Sequence, residues 1–331
     1  MFFKRSYRGS LKDLYALIKG GIVASNTMTA LGAMALSPWP ASMSLVEIGI
    51  RALELCAGTA CLVAGSCAVN NWLDRDIDAL MARTKDRPTV SGRIGSTATL
   101  AIGGGLLLLG MTFLALDGRG PAMLGAFGAF VYIIPYTLWS KRRSGISSFV
   151  GGVAGAIPPL MGWAVLDPRL GGPALFLFAF LVAWQQAHVR ALALRRRVDF
   201  DRAEVPMPGL AKPGLSSHAS GDTASQSPNL RRFPGLSPDQ AARWAVLAWI
   251  AVLLPFPLLV AKKLDSHFAI AFSIFETGLI VLWGLIGVLA ARKARYAKTV
   301  AWGSLMFFLS LGQLVIFFSG LLIAKLLGLA L

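Results

Sequence analysis

Charge is scarce in this chain. Only 15% of its 331 residues are Asp, Glu, Lys or Arg, against 55% that are hydrophobic, a balance that excludes an ordinary soluble globular domain. Histidine and cysteine are scarcer still, at three each. Cys56, Cys61 and Cys67 fall within one apolar run and lack the CxxC or CxxCH spacing of redox pairs and attached hemes, so they read as packing residues. Ahead of the first apolar run there is no Arg/Ser-rich transit stretch and no cleavable signal, which favours a bacterial plasma (inner) membrane over a mitochondrial precursor.

What is present is apolar sequence in blocks of about twenty residues, the length a helix needs to cross a bilayer. About nine spans are expected, near 17–36, 47–70, 97–116, 121–140, 147–166, 173–194, 240–262, 268–290 and 300–324. The chain therefore reads as an all-α polytopic membrane protein, a bundle of about nine transmembrane helices in the lipid bilayer. Its net charge of +16 invites a nucleic-acid reading, but 26 of the 32 Lys and Arg residues collect in alternate inter-span segments. That is the positive-inside pattern of a cytoplasmic N-terminus and an external C-terminus. No basic domain stands apart from the membrane, so nucleic acid is excluded as a partner.

Residues 206–238, PMPGLAKPGLSSHASGDTASQSPNLRRFPGLSP, have little to bury and read as a flexible cytoplasmic insertion. They divide the chain into a part carrying the first six spans, 1–205, and a part carrying the last three, 239–331.

The chemistry gathers where the second span ends, in NNWLDRDIDALMARTKDRP from Asn70 to Pro88. On a helix Asn70, Asp74 and Asp78 sit at roughly 0°, 40° and 80°, on one face about 12 Å long, with Asn71 beside them and Asp76 pointing roughly the other way. A solvated helix end often carries incidental acids. Here two carboxylates and amide oxygens one turn apart suit Mg2+, a hard cation that takes oxygen ligands and shares its shell with phosphate. Arg83, Lys85 and Arg87 follow at once. Acids with adjacent bases fit a metal–diphosphate, the cations matching the oxygens that the metal leaves free. A second basic cluster, Lys141, Arg142 and Arg143, lies between spans four and five. After it come Gly151, Gly152, Gly155, Pro158 and Pro159 inside a span, which permit close helix approach and require a cavity or neighbours for the freed backbone groups.

The stretch NNWLDRDIDALMARTKDRP resembles the NDxxDxxxD signature of the UbiA-type membrane prenyltransferases, with Asn71 in place of the usual Asp. Within that superfamily DRDIDALMARTKDRP, YTLWSKRRSGISSFVGGVAGAIPPLMGW and WQQAHVRALALRRRVDFDRAEVPM are most similar to the protoheme IX farnesyltransferase, or heme O synthase, branch. The opening LIKGGIVASN resembles that branch's Thr-Lys-Pro-Gly-Ile stretch, with Gly20 where Pro is usual. The resemblance covers residues 14 to about 208. It implies a UbiA-like bundle whose active site faces the cytoplasm, with farnesyl diphosphate bound through Mg2+ and transferred to a vinyl group of heme B, with water added, to give heme O. It also implies that Asn70, Asp74 and Asp78 hold the metal while Arg83, Arg87, Lys141 and Arg142 neutralise the diphosphate. A heme A synthase or a terminal oxidase that uses the product is an implied pathway partner.

The departures lie on the acceptor side. Ala187 replaces a Pro before His188, and a second Asp-rich motif is reduced to Asp199 and Asp201. His188, inside span six, is a candidate ligand of heme iron on the acceptor side, a base or proton donor near the acceptor, or a hydrogen-bonded structural residue. Arg51 and Glu54 are expected to pair at i, i+3, and Glu276 to serve helix packing. Other readings stay open: a UbiA-type prenyltransferase for another aromatic or tetrapyrrole acceptor, or a non-catalytic heme- or lipid-binding or transport protein. A transporter should carry its ionisable groups near the midplane, whereas here they cluster at one interface.

Overall fold

Three helices begin with the same local device, a Ser whose side chain takes an N3 amide while the N3 side chain returns to the Ser backbone: Ser10 with Asp13, Ser44 with Glu47, and Ser237 with Gln240. The computed structural model describes residues 10–207, 237–264, 267–292 and 297–327. The stretch read as an insertion, 206–238, lies almost wholly outside the described residues. All described elements are helices: α1 Leu11–Ile18, α2 Gly20–Leu36, α3 Leu45–Leu73, α4 Arg75–Leu80, α5 Ser96–Leu116, α6 Arg119–Val131, α7 Ser147–Gly155 and α8 Ile157–Leu166. After these come α9 Gly172–Arg195, α10 Arg197–Arg202, α11 Pro238–Leu253, α12 Pro255–Leu264, α13 His267–Arg292 and α14 Ala297–Leu326.

Among the described residues eight helical segments are long and apolar enough to cross a membrane, and α2, shorter at 17 residues, is a further apolar helix. The protein is a multi-pass all-α membrane protein, because in lipid only helices or closed barrels satisfy every backbone group. The expected first span, 17–36, begins later than its hydropathy suggests. Lys19 adopts φ 54°, ψ 58° and separates α1 from α2, a left-handed conformation that is uncommon for a residue with a Cβ. The expected fifth span is also broken. At Ala156 it divides into α7 and α8, and Pro158 and Pro159 occupy the first turn of α8, where a missing N–H is tolerated.

α8 is the centre of the bundle, with all ten of its residues buried. A Cβ at Gly162 would stand 1.9 Å from the Ala30 carbonyl oxygen, so only glycine lets α2 and α8 approach this closely. α3 and α5 pack in the same way, a Cβ at Gly110 falling 2.5 Å from the Leu62 nitrogen. α14 packs on both α9 and α2, so the last helix closes the bundle against the first long apolar one.

Two small clusters stabilise the end where the charged segments gather. Leu17, Ala68 and Ile94 dock α1 onto α3 and the turn before α5. Ile77, Met81, Ala203 and Val205 clamp α4 against α10 and the turn after it. Where water is the reference, each such large aliphatic contributes about 2 kcal/mol.

Candidate functional site

α3 carries Asn70 and Asn71 in its last turn and bends at Asp74 (φ −92°, ψ 2°) into α4. The bend leaves the helical bonding intact, with Asp74 N donating to Asn70 O at 2.9 Å and Asp78 N to Asp74 O at 2.8 Å. Asn70, Asp74 and Asp78 therefore keep a common face, and all are buried, Asp74 at 0% and Asp78 at 3% exposure. Asp76 points the other way, its side chain 60% exposed.

Cations from three segments meet this face. Lys141 Nζ binds Asp74 Oδ2, which also accepts from Asn70 Nδ2 at 2.8 Å. Arg87 Nη1 binds Asp78 Oδ2 at 2.5 Å and Asn71 Oδ1 at 2.9 Å. Lys19 Nζ donates to Asn70 Oδ1. Asn71 in turn donates to the Leu17 carbonyl at 2.7 Å, holding the end of α1 against the site. Burial pulls the Lys141 ammonium down in pKa, but the Asp74 carboxylate more than offsets it and the net shift is upward.

α6 runs on into a π-helical segment, Tyr132–Ser140, that contains Pro135. Proline has no N–H to give the preceding turn and clashes with an α-helical carbonyl, and π-bulges are one way a helix absorbs this. The wider turn is pinned by Thr137, which donates to Tyr132 O at 2.8 Å and accepts from Asn70 Nδ2 at 3.0 Å. It ends at Lys141 and so aims that ammonium at Asp74.

Of the residues singled out from sequence, Asn70, Asp74, Asp78, Arg87 and Lys141 are brought into one cluster. Arg142 stands at its edge. It grips exposed Asp76 through two bonds of 2.5 and 2.7 Å and the Leu73 carbonyl at 2.8 Å, and lies 4.0 Å from Asp74 Oδ1. That pairing raises the Arg142 pKa and lowers the Asp76 pKa. Arg83 opens onto a neighbouring recess with Arg195, Arg196 and Asp199, where Asp199 Oδ1 accepts from Ala82 N at 3.0 Å.

His188 lies in the α9–α14 interface. Its ring is sandwiched between Trp184 and Phe307 at centroid distances of 4.7 and 4.6 Å, and Nδ1 bonds Ser310 Oγ at 2.7 Å. Arg51 turns to Asp117 in the next inter-helix turn, at 3.7 Å, rather than to Glu54 as expected. The backbone of that turn, with its carbonyl 3.3 Å from Arg51 Nη1, outcompetes an i, i+3 contact. Glu276 is fully buried and accepts from Gln313 at 3.2 Å across α13 and α14, in keeping with a packing role.

Sequence reasoning did not single out Lys19 or Thr137. The signal for Lys19 was a lysine directly before Gly20-Gly21 at the start of an apolar run. Its strained backbone, next to the acidic face, is the kind of outlier that collects at functional sites.

One buried carboxylate oxygen in the cluster lacks a hydrogen bond among the described residues. Asp74 Oδ1 is buried without a hydrogen bond, a costly state for a carboxylate oxygen. Among the described residues no three His, Cys, Asp or Glu side chains lie close enough to hold a metal by themselves. Asp74 and Asp78, with the amide oxygen of Asn70, instead put hard oxygen donors on one buried face. That fits a cation such as Mg2+, whose shell is completed by water and ligand phosphate rather than by a full protein cage.

A model of the UbiA prenyltransferase family matches residues 26–312. Protoheme IX farnesyltransferases of Bacillus thuringiensis (strain Al Hakam) and Bacillus cereus (strain B4264) are each 34% identical over 314 residues, 95% of this chain and 92% of theirs. Among solved structures, a UbiA homolog from Archaeoglobus fulgidus bound to GPP and Mg2+ superposes with a TM-score of 0.61 at 13% identity, over 91% of this chain and 99% of that one. A digeranylgeranylglyceryl phosphate synthase superposes with a TM-score of 0.61 at 15% identity, over 94% and 98% of the two chains.

Proposed function

The chain belongs to the UbiA prenyltransferase family, and from that premise we propose that it transfers a farnesyl group from farnesyl diphosphate to a vinyl group of heme B, with addition of water, forming heme O. The reaction class is carried by one observation: a buried acidic face, Asp74 and Asp78, matched cation for carboxylate by Lys141 and Arg87 with Lys19 alongside. The heme acceptor is supported by the 34% identity with protoheme IX farnesyltransferases along nearly the whole chain.

The acids and bases of the cluster pair with one another. Asp74, Asp78 and Asn70 are the residues that would hold Mg2+, as the Archaeoglobus fulgidus homolog is described with GPP and Mg2+. Bound there, Mg2+ supplies Lewis-acid stabilisation of the charge that builds on the departing diphosphate. Lys141, Arg87 and Lys19, which stand against these side chains, would meet that same charge on the phosphate oxygens. Arg142 supports the rim through Asp76, and Arg83 extends the basic surface. Departure of the diphosphate leaves an allylic cation, which the packed, apolar α8 core helps to shield from water. The end of the bundle that carries the site is also the end rich in Lys and Arg, which supports a site facing the cytoplasm. The bacterial relatives support the inner membrane as its location.

The test is mass spectrometry of extracted hemes. Membranes from a host without its own heme O synthase, carrying this protein, receive heme B, farnesyl diphosphate and Mg2+. A farnesylhydroxyethyl heme that disappears when the metal is chelated is expected. Diphosphate release with other acceptors but no modified heme would replace the acceptor, and no release at all would end the enzymatic reading.

A further inference from the structure

Beside the acidic cluster, Arg195 and Arg196 converge on a recess of about 440 Å3, with Arg83 on the wall toward the proposed diphosphate site. None of the three has an ion-pair partner among the described residues, whereas the adjacent Arg197 is engaged with Asp201 at 3.7 Å and Asp239 at 2.5 Å. The acid lining the recess, Asp199, is already committed to Ala82 N. Arg195 is held over the rings of Phe307 and Phe308, at 4.7 and 4.6 Å, so its planar fork is pre-positioned. The result is a hollow with surplus guanidinium charge.

Two features say what would fill it. Guanidinium groups grip carboxylates through two parallel N–H···O bonds, a geometry that a lysine cannot supply. The lining is also amphipathic, because Val198 and Val300 are 57% and 41% exposed beside the arginines. A ligand with an apolar body and an anionic edge suits both. The recess adjoins the acidic cluster across the turn at residues 81–84. On one flank Thr84 Oγ1 donates to the Asp78 carbonyl at 2.9 Å, and on the other Ala82 N donates to Asp199. A molecule seated there would lie next to a diphosphate held at Asp74 and Asp78 without competing for those carboxylates.

We propose that this recess binds the carboxylates of the acceptor, a planar apolar molecule with two carboxylates on one edge, and so sets the acceptor against the donor. The inference rests on the porphyrin-prenylating reading given above and adds how the acceptor is recognised.

The whole protein in lipid nanodiscs is titrated with protoporphyrin IX, which bears two free carboxylates, and with its dimethyl ester, which bears none. The free acid should bind the wild type about tenfold or more tightly than the ester, the size expected for losing a charged hydrogen-bonded contact. Arg195→Gln and Arg196→Gln should each weaken the free acid by a similar factor and leave the ester unchanged, with Arg195→Lys intermediate. Farnesyl diphosphate binding should stay within about twofold. Equal binding of acid and ester by the wild type, which needs no variant to fold, would overturn the proposal. So would Gln variants that lose donor binding while keeping the porphyrin, since the recess would then belong to the diphosphate. Heme B turnover, read separately, isolates the underlying reaction: ester-sensitive, arginine-dependent binding without a farnesylated product keeps the recess and removes the reaction. A farnesylated product with no such dependence does the reverse.

Discussion

Replacing Asp74 with Asn removes one charge and almost no volume, from a side chain that is 1% exposed. Two separable losses are expected. Removing a preorganised group that stabilises transition-state charge costs about 3–4 kcal/mol, which is about 10²–10³ in rate. Lys141, its side chain 16% exposed, also loses its counter-ion, and breaking a buried pair costs about 3–5 kcal/mol of stability. A second change, Lys141→Met, removes the stranded ammonium, so the double variant should regain much of the stability and none of the activity. Diphosphate release and thermal unfolding, measured on the same nanodisc samples, read the two effects. If Asp74→Asn keeps full turnover, Asp74 does not hold the metal. If activity returns with stability in the double variant, its role was structural only.

The other expectations follow from the same geometry. Asp76→Asn breaks only the exposed pair with Arg142, worth about 0–1 kcal/mol, so turnover should change less than about tenfold; a loss matching that of Asp74→Asn would refute the division of helix faces. Gly162→Ala forces a Cβ against the Ala30 carbonyl and should destabilise the protein by about 1–3 kcal/mol, and an unchanged melting temperature would deny the close α2–α8 contact. Asp13 is held at a pKa of about 2, chiefly by its hydrogen bond to Arg93, against an ordinary 3.8. Its contribution to α1 docking is therefore complete above 3.8 and lost as pH falls through about 2. Hydrogen exchange of the α1 amides should accelerate across that window, and Asp13→Asn should remove the pH dependence.

The spans and the acidic face were legible because they are local. Hydropathy alone marks a membrane helix, and the 100° step aligns Asn70, Asp74 and Asp78 whether or not the helix bends at Asp74. What sequence left hidden depends on partners far along the chain. Lys19 meets Asn70 across 51 residues, Thr137 meets Asn70 across 67, and Arg142 finds Asp76 across 66. Nothing in the basic run Lys141-Arg142-Arg143 says which side chain turns to the buried acid and which to the exposed one. The π-helical widening around Pro135 decides that, by delivering Lys141 inward. His188 was singled out because an intramembrane histidine is a functional candidate by default. Its stacking on Phe307 and its Nδ1 contact with Ser310, across 122 residues, are long-range features that no local pattern encodes.

In the proposed reaction Mg2+ and a diphosphate would come between acids and bases that pair with each other here. A cryo-electron microscopy structure with Mg2+ and a non-reacting farnesyl thiodiphosphate tests it most directly. The expected result is a cation held at Asp74 and Asp78, with Lys141 and Arg87 on phosphate oxygens. A diphosphate bound elsewhere, or bound while both the Asp74–Lys141 and Asp78–Arg87 pairs remain closed, would contradict it.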